Sequence, residues 1–383
     1  MLELRKFVAP EFVFGLGAVD LAGQYARNFG AQRALIVTDA GVVDSGIVAR
    51  VCKLLDFEEI QYIVFEQISP NPRAEEVMAG AEVYQQENCD VIISVGGGSP
   101  MDCAKGIGIV TTNGRNILEF EGIDNVNIPG PPLICIPTTA GTSADISQFA
   151  IITDREEKVK IAIISKTMVP DVALIDPAAT SSMSRYLTAC TGMDAMVHAF
   201  EAYVSTANSP ILDLHALHAV SLIRDNLAAV LEKPDDMDLR GKIMLGSLEA
   251  GIAFSNASLG AVHAMAHSCG GLLDMPHGEC NAVLLDHVVA FNFQSEKERY
   301  RSIAVAMGVD VTDASDEVVL RDLLSAIRSL KRDVGINIGL GNRGAKKTDI
   351  AELAKKAMKD PCMVTNPRLP SQRDIEVIYE EAL

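Results

Sequence analysis

The chain has 383 residues, 48% of them hydrophobic and 22% charged, and carries a formal net charge of −18. That length accommodates two domains with separate cores, and the acidic balance excludes nucleic acid and anionic membranes as partners, since both require a basic patch. Eight scattered cysteines form no CxxC pair, which points to a reduced, cytoplasmic protein and away from a disulfide or zinc-knuckle framework.

In chain order, the opening MLELRKFVAPEF has charges where a signal peptide needs an apolar run. No stretch approaches the ~20 unbroken apolar residues of a membrane span. Residues 6–14 are expected to add an edge strand. From about residue 30 to 175 short β-rich runs alternate with helical ones. ALIVTD (34–39) reads as a strand, 46–55 as a helix, QYIVF (61–65) as a strand and 73–86 as an amphipathic helix. DVIISV (90–95) is a third strand that runs into Gly96-Gly97-Gly98-Ser99, and 100–110 is the next helix. Another apolar run, 133–136, leads into Pro137-Thr138-Thr139-Ala140-Gly141-Thr142. This alternation predicts an α/β domain whose parallel sheet is covered on both faces.

After Asp176-Pro177 the strand-like runs stop. Helical patterns cover 185–205, 210–231, 239–255, 259–269, 281–291 and 296–307, so an all-α second domain is expected, with domains of 1–180 and 181–383. Towards the C-terminus mixed charges read as solvated helix surface.

The strand, glycine turn and helix start around Gly97, Gly98 and Ser99 suit an anion. Glycines let the backbone approach closely, and a helix N-terminus offers N–H groups and partial positive charge. Ser99 is the expected N-cap, Pro100 the first helical residue and Asp102 a capping carboxylate. An ordinary tight turn would look the same, but the Thr138–Thr142 loop also follows a strand and offers hydroxyls to the same phosphates. Asp39 closes the first strand, where a carboxylate can bind a ribose diol and repel a 2′-phosphate, favouring NAD over NADP. Here the acid precedes the glycine loop by roughly sixty residues, whereas the usual dinucleotide fingerprint places it about twenty residues after. A different strand order is therefore required.

Three of the seven histidines lie within Ser255–Asn281. His263 and His267 share a helix face at i, i+4. Gly270-Gly271 are expected to end that helix, and Pro276 to turn His277 back towards it. A lone histidine on an apolar helix is usually a core residue; three so close together favour a metal site. Asp194 and His198, also i and i+4 on an apolar helix, complete a carboxylate and imidazole set suited to a divalent transition metal. His215 and His218 read as surface or packing residues, and no partner for His287 is evident.

Taken together, GGGSPMDCAK, PTTAGTSAD, GMDAMVHAFEAY, NASLGAVHAMAH and MPHGECNAVLL resemble the iron-containing (group III) alcohol dehydrogenases across essentially the whole chain. The resemblance implies Asp194, His198, His263 and His277 as metal ligands, with His267 beside the metal as a proton relay. It implies Asp39, Asn71, Gly97, Gly98, Ser99, Asp102, Thr138, Thr139, Thr142 and Lys160 as the dinucleotide site. Fe²⁺ is implied by the family alone, and the ligand chemistry suits Zn²⁺ as well. The implied activity is hydride transfer between NAD(H) and a short primary alcohol or aldehyde whose oxygen meets the ion, in the cleft between the domains. Phe149, Phe254, Leu259 and Cys362 are pocket-wall positions by the same resemblance. Phe149 departs from the polar residue of lactaldehyde reductases, favouring a simple alcohol over a lactaldehyde- or 1,3-propanediol-type substrate. A homodimer or larger homo-oligomer is expected through the N-terminal edge strand. A dehydroquinate-synthase-like lyase needs a basic substrate pocket that 194–277 lacks. A metal-dependent hydrolase leaves both loops and Asp39 without a purpose, and a non-catalytic nucleotide-binding module leaves the metal set without one.

Overall fold

The computed structural model describes residues 5–383. Chain proximity divides them into one unit of 8–183 and another of 184–383, to which 5–7 also belong. The first unit contains nine strands: β1 (Glu11–Phe14), β2 (Arg33–Val37), β3 (Gln61–Phe65), β4 (Val91–Gly96), β5 (Gly122–Ile123), β6 (Leu133–Pro137), β7 (Phe149–Asp154), β8 (Val159–Ile164) and β9 (Val172–Ile175). Its helices are α1 (Ala22–Asn28), α2 (Ala40–Asp44), α3 (Ile47–Phe57), α4 (Ala74–Gln86) and α5 (Gly98–Asn113).

Six strands make a wholly parallel sheet in the order β1-β9-β6-β4-β2-β3. Side chains alternate between the faces of a strand, so Leu35, Val37, Ile92 and Cys135 enter one core with Val77 of α4 and Ile107 of α5. Ala34, Ile36, Ile93, Val95 and Ile134 enter the opposite core with Ala22 of α1 and Val51 and Leu55 of α3. Both faces are buried, which is why these strands read as continuous apolar runs. The edge strand expected within 6–14 is β1, paired among the described residues only with β9. Chain order reverses direction between β2 and β4, and in open α/β sheets ligands bind beyond the strand ends at such a reversal.

A second, three-stranded sheet, β5-β8-β7, departs from the all-parallel expectation because β7 and β8 pair antiparallel. The turn between them makes this hairpin. Asp154 Oδ1 accepts from the amides of Glu156 (2.9 Å) and Glu157 (3.1 Å), and Lys158 takes φ +52°.

The second unit is helical: α6 (Arg185–Val204), α7 (Pro210–Glu232), α8 (Met237–Ala257), α9 (Ala261–Leu273), α10 (His277–Asn292), α11 (Lys297–Ala306), α12 (Asp316–Asp333), α13 (Ile350–Ala357) and α14 (Gln372–Ala382). Residues 188–204 of α6 are all buried, as expected of a helix apolar around its whole circumference. Two expectations need correction. The charged C-terminal segment is not merely surface: α12 buries Val319, Leu323, Ile327 and Leu330, and α14 buries Ile375, Ile378 and Tyr379. Nor do Gly270-Gly271 end the histidine helix. α9 runs through them, since interior glycine costs only about 1 kcal/mol against alanine, and stops where Asp274 takes the left-handed conformation at φ +52°. Among the described residues no helix is long and apolar enough to cross a membrane.

Candidate metal centre and nucleotide-binding loops

Three helices of the second unit converge on one buried point. Asp194 comes from α6, His263 from α9, and His277 is the first residue of α10, preceded by Pro276 at the cap position. His263 Nε2 lies 3.6 Å and His277 Nε2 3.7 Å from Asp194 Oδ1. All three donor atoms fall within 4.8 Å of one another. His198, one turn along α6, stands slightly further out, its Nε2 4.0 Å from Asp194 Oδ1. Its ring stacks between Phe254 of α8 (4.2 Å between centroids) and His263 (4.6 Å).

The close approach of α6 and α10 depends on Gly278. A Cβ there would stand 2.6 Å from the Cys190 carbonyl oxygen and 3.5 Å from Asp194 Cβ. Glycine therefore lets the backbone after His277 lie against the helix that carries Asp194.

Glu201 was not anticipated, although it lies at i+7 from Asp194 and i+3 from His198 on a helix that is buried all round. It accepts from His263 Nδ1 at 2.6 Å and from the Val262 amide at 2.7 Å. It therefore caps α9, whose own cap residue, Gly260, has no side chain to offer. Asn366 takes the neighbouring amide, Ala261 N, at 3.1 Å. With Nδ1–H donated to Glu201, His263 aims its Nε2 at Asp194, the nitrogen that would ligate a metal once the ion displaces its proton.

Electrostatics lead to the same conclusion. Burial alone would push the Asp194 carboxyl up, but the His198 and His277 imidazoles and the bond to His263 hold it well below the usual carboxylate range. Burial would lower His263, yet Asp194 and Glu201 push it up to about 9. Two buried carboxylates around imidazoles stabilise a cation, and one carboxylate with imidazole donors fits a divalent transition metal.

His267 does not join this trio. Its Nδ1 pairs with Asp360 Oδ2 at 2.8 Å, and it forms a separate group with Asp360 and Cys362. Its ring stacks on His277 at 5.2 Å and lies edge-on to His263 at 6.0 Å. Asp360, also unforeseen, caps the short turn Pro361–Thr365 by accepting from Cys362 N. Burial would raise the Asp360 carboxyl, but His267 holds it low. Of the remaining histidines, His218 bonds Glu249 at 2.6 Å at the surface and His287 lies 3.5 Å from Glu381.

In the first unit the two loops meet. A Cβ on Gly97 would lie 3.0 Å from Thr139 Cγ2, and one on Gly98 3.1 Å from Thr142 Cγ2. Thr138 N donates to Gly96 O at 2.9 Å. Helix α5 starts two residues earlier than expected: Gly97 is its cap and Gly98 its first residue, with no side-chain cap. Ser99 and Pro100 thus fall inside the first turn, and an uncapped helix start between glycines is an anion seat. Asp102 does not cap; its carboxylate accepts from Ile151 N at 3.2 Å. Burial pushes its carboxyl up to about 6, against the pull of Lys105 and Lys160. Asn71 (φ +59°) accepts at its carbonyl from Thr153, which is paired with Lys160 across the hairpin. Asp39 caps α2 through Val42 N (3.0 Å) at the end of β2, next to the strand that carries the glycine loop.

Three buried hydroxyls, Thr38 Oγ1, Ser94 Oγ and Thr139 Oγ1, have no hydrogen-bond partner among the described residues. Thr38 and Thr139 follow β2 and β6, and Ser94 lies within β4; the three strands are neighbours at the reversal of the sheet. Thr38 and Ser94 were not anticipated, and a polar residue in or just after an apolar strand was their only sequence signal.

Comparison with known proteins gives one consistent result. Residues 9–177 match the family described as iron-containing alcohol dehydrogenase, and residues 188–383 the C-terminal part of the Fe-containing alcohol dehydrogenase family. The chain is 38% identical to 1,3-propanediol dehydrogenase of Klebsiella pneumoniae, covering 96% of each chain. It is 37% identical to the NAD-dependent methanol dehydrogenase of Bacillus methanolicus, covering 98% of this chain and 99% of that one. A solved 1,3-propanediol oxidoreductase structure superposes with a TM-score of 0.96 at 38% identity, covering 100% of both chains.

Proposed function

The chain belongs to the iron-containing alcohol dehydrogenase family and is an NAD(H)-linked alcohol/aldehyde oxidoreductase; from that premise we propose that its substrate is a short primary alcohol or the corresponding aldehyde. Family membership implies a nicotinamide cofactor and a metal ion. NAD in place of NADP, and Fe²⁺ with Zn²⁺ as the alternative, are our readings. The observation that carries the proposal is the convergence of Asp194 Oδ1, His263 Nε2 and His277 Nε2 within 4.8 Å, and we assign those three residues together with His198 as the ligands.

Bound there, the ion would supply positive charge against the reacting oxygen, favouring loss of the alcohol proton in one direction and polarising the carbonyl in the other. The chain's own residues do the rest. Glu201 fixes the His263 tautomer through Nδ1, and Phe254 steadies the His198 ring by stacking. His267, its Nδ1 held by Asp360, presents its other nitrogen as a proton carrier. Gly97, Gly98, Ser99, Thr138, Thr139 and Thr142 seat the phosphates, for which the unpartnered Thr139 hydroxyl is the supporting detail. Asp39 takes the ribose diol, and Asn71, Asp102 and Lys160 complete the nucleotide site.

Relatives named for 1,3-propanediol and for methanol are 38% and 37% identical to this chain, so the substrate rests on side chains. Phe254, stacked on His198, and Leu259 are apolar and buried, which favours a substrate without a second hydroxyl. We place the enzyme in the cytoplasm as a homodimer or larger assembly. The test is oxidation of NADH with acetaldehyde or propionaldehyde after iron is restored, compared in wild type, D194A and H277A and with chelator added. Turnover should fall at least a hundredfold in both variants and on chelation. Undiminished turnover in H277A refutes the assignment, and faster turnover of lactaldehyde than of propionaldehyde refutes the substrate.

A further inference from the structure

Asn281 lies one turn beyond His277 on α10 and is fully buried. Its Nδ2 stands 2.6 Å from Asp194 Oδ1 and 3.1 Å from the Nε2 atoms of both His263 and His277. These atoms belong to three of the four residues assigned above to the metal, so the amide group is aimed at the same point they are.

The hydrogen-bond arithmetic does not balance with the amide in this orientation. An amide nitrogen carries two hydrogens, and it faces three atoms that each present a lone pair when they ligate an ion. Meanwhile Asn281 Oδ1 is buried and has no donor among the described residues, an outcome folded proteins generally avoid. Amide oxygen and nitrogen exchange places by a half-turn. That turn would bring a third class of lone pair, a carbonyl oxygen, to the convergence point. Crowding four lone pairs together is unfavourable in protein alone and favourable around a cation. Ligand atoms at ~2.1 Å from one ion stand roughly 3.0–3.4 Å apart when adjacent; the 3.1 Å spacings to the two imidazoles fall in that range, and the 2.6 Å to Asp194 Oδ1 is shorter and would lengthen on binding.

We propose that Asn281 is a further protein ligand of the metal, presenting its side-chain oxygen to the ion held by Asp194, His198, His263 and His277. The assignment rests on the metal reading above and extends it. A ligand at this position lowers the number of open sites on the ion and fixes the face on which substrate oxygen arrives.

Co²⁺ is the probe, because its visible absorption reports coordination number without turnover. Full-length wild type, N281A, N281D and D194A are stripped with chelator, reloaded with Co²⁺, and compared in spectrum, in affinity by chelator competition and in thermal melting. N281A should bind Co²⁺ 10–100-fold more weakly with an altered visible spectrum. N281D, which keeps an oxygen but cannot donate, should melt lower than wild type in chelator and gain more than wild type when Co²⁺ is added. An N281A spectrum and affinity matching wild type overturn the proposal. So does a smaller Co²⁺-induced gain in N281D, which would make the amide a hydrogen-bond prop only. The N281D comparison decides alone if N281A does not fold. D194A separates the two levels: a full equivalent bound at wild-type affinity there overturns the metal reading itself, whatever Asn281 does.

Discussion

At the scale of single residues, the proposed centre is governed by what buried charge requires. Asp194 and Glu201 are both enclosed by α6 and its neighbours, and each is offset by imidazole or by helix amides. Removing the carboxylate that anchors His263 should therefore loosen the metal while leaving the proposed ligands in place. We predict that Glu201→Gln weakens divalent-metal affinity 10–100-fold, as is usual when the partner of a ligating histidine is lost, measured by chelator competition. The variant should also lose stability, since the Val262 and His263 amides lose a charged acceptor. Wild-type affinity in Glu201→Gln would mean that Glu201 serves only as a helix cap.

At the scale of elements, small residues decide how closely helices approach. The backbone of α10 rests against α6 at Gly278, and an added Cβ would meet a carbonyl, which cannot yield as a flexible side chain does. We expect Gly278→Ala to cost about 1–3 kcal/mol in urea denaturation and to lower metal affinity by separating His277 from Asp194. A second prediction concerns the loop after β6. Burial pushes the Asp145 carboxyl from 3.8 up to about 6. Nearby Lys105 spends its ammonium on Ser147 O (2.8 Å), Ser147 Oγ (3.2 Å) and Phe149 O (2.8 Å). A carboxyl with a raised pKa favours the fold while protonated. Its contribution is complete below pH 3.8 and is lost as pH rises through about 6. The whole effect is about 3 kcal/mol, two pKa units at about 1.4 kcal/mol each. Asp145→Asn has no such loss, so its stability relative to wild type should rise across that window. Parallel stability-pH curves for the two proteins would contradict the assignment.

At the scale of the whole molecule, the parallel sheet ends at β1, whose outer edge is unpaired among the described residues. Phe12, Phe14 and Leu16 are 40%, 38% and 66% exposed along and just beyond it. An apolar edge strand is a template for pairing with another chain. Sedimentation should therefore give a mass of at least twice 41.0 kDa, and Phe12→Asp combined with Phe14→Asp should shift it towards the monomer. A wild-type particle at monomer mass would contradict the homodimer.

The sequence by itself determined most of the local architecture. Apolar runs such as DVIISV could only be strands buried on both faces, and the i, i+4 pairs Asp194/His198 and His263/His267 followed from helical period alone. What it could not determine was anything set by individual backbone torsions or by contacts between distant segments. The αL residue that ends α9, the antiparallel hairpin at Asp154 and the early start of α5 each depend on a few local torsions that composition does not fix. The strand order that sets Asp39 beside the glycine loop, and the helix packing that brings Glu201 to His263 and Asn281 to Asp194, depend on which faces come together. Periodicity tells which residues share a face; only close packing in three dimensions selects the face opposite.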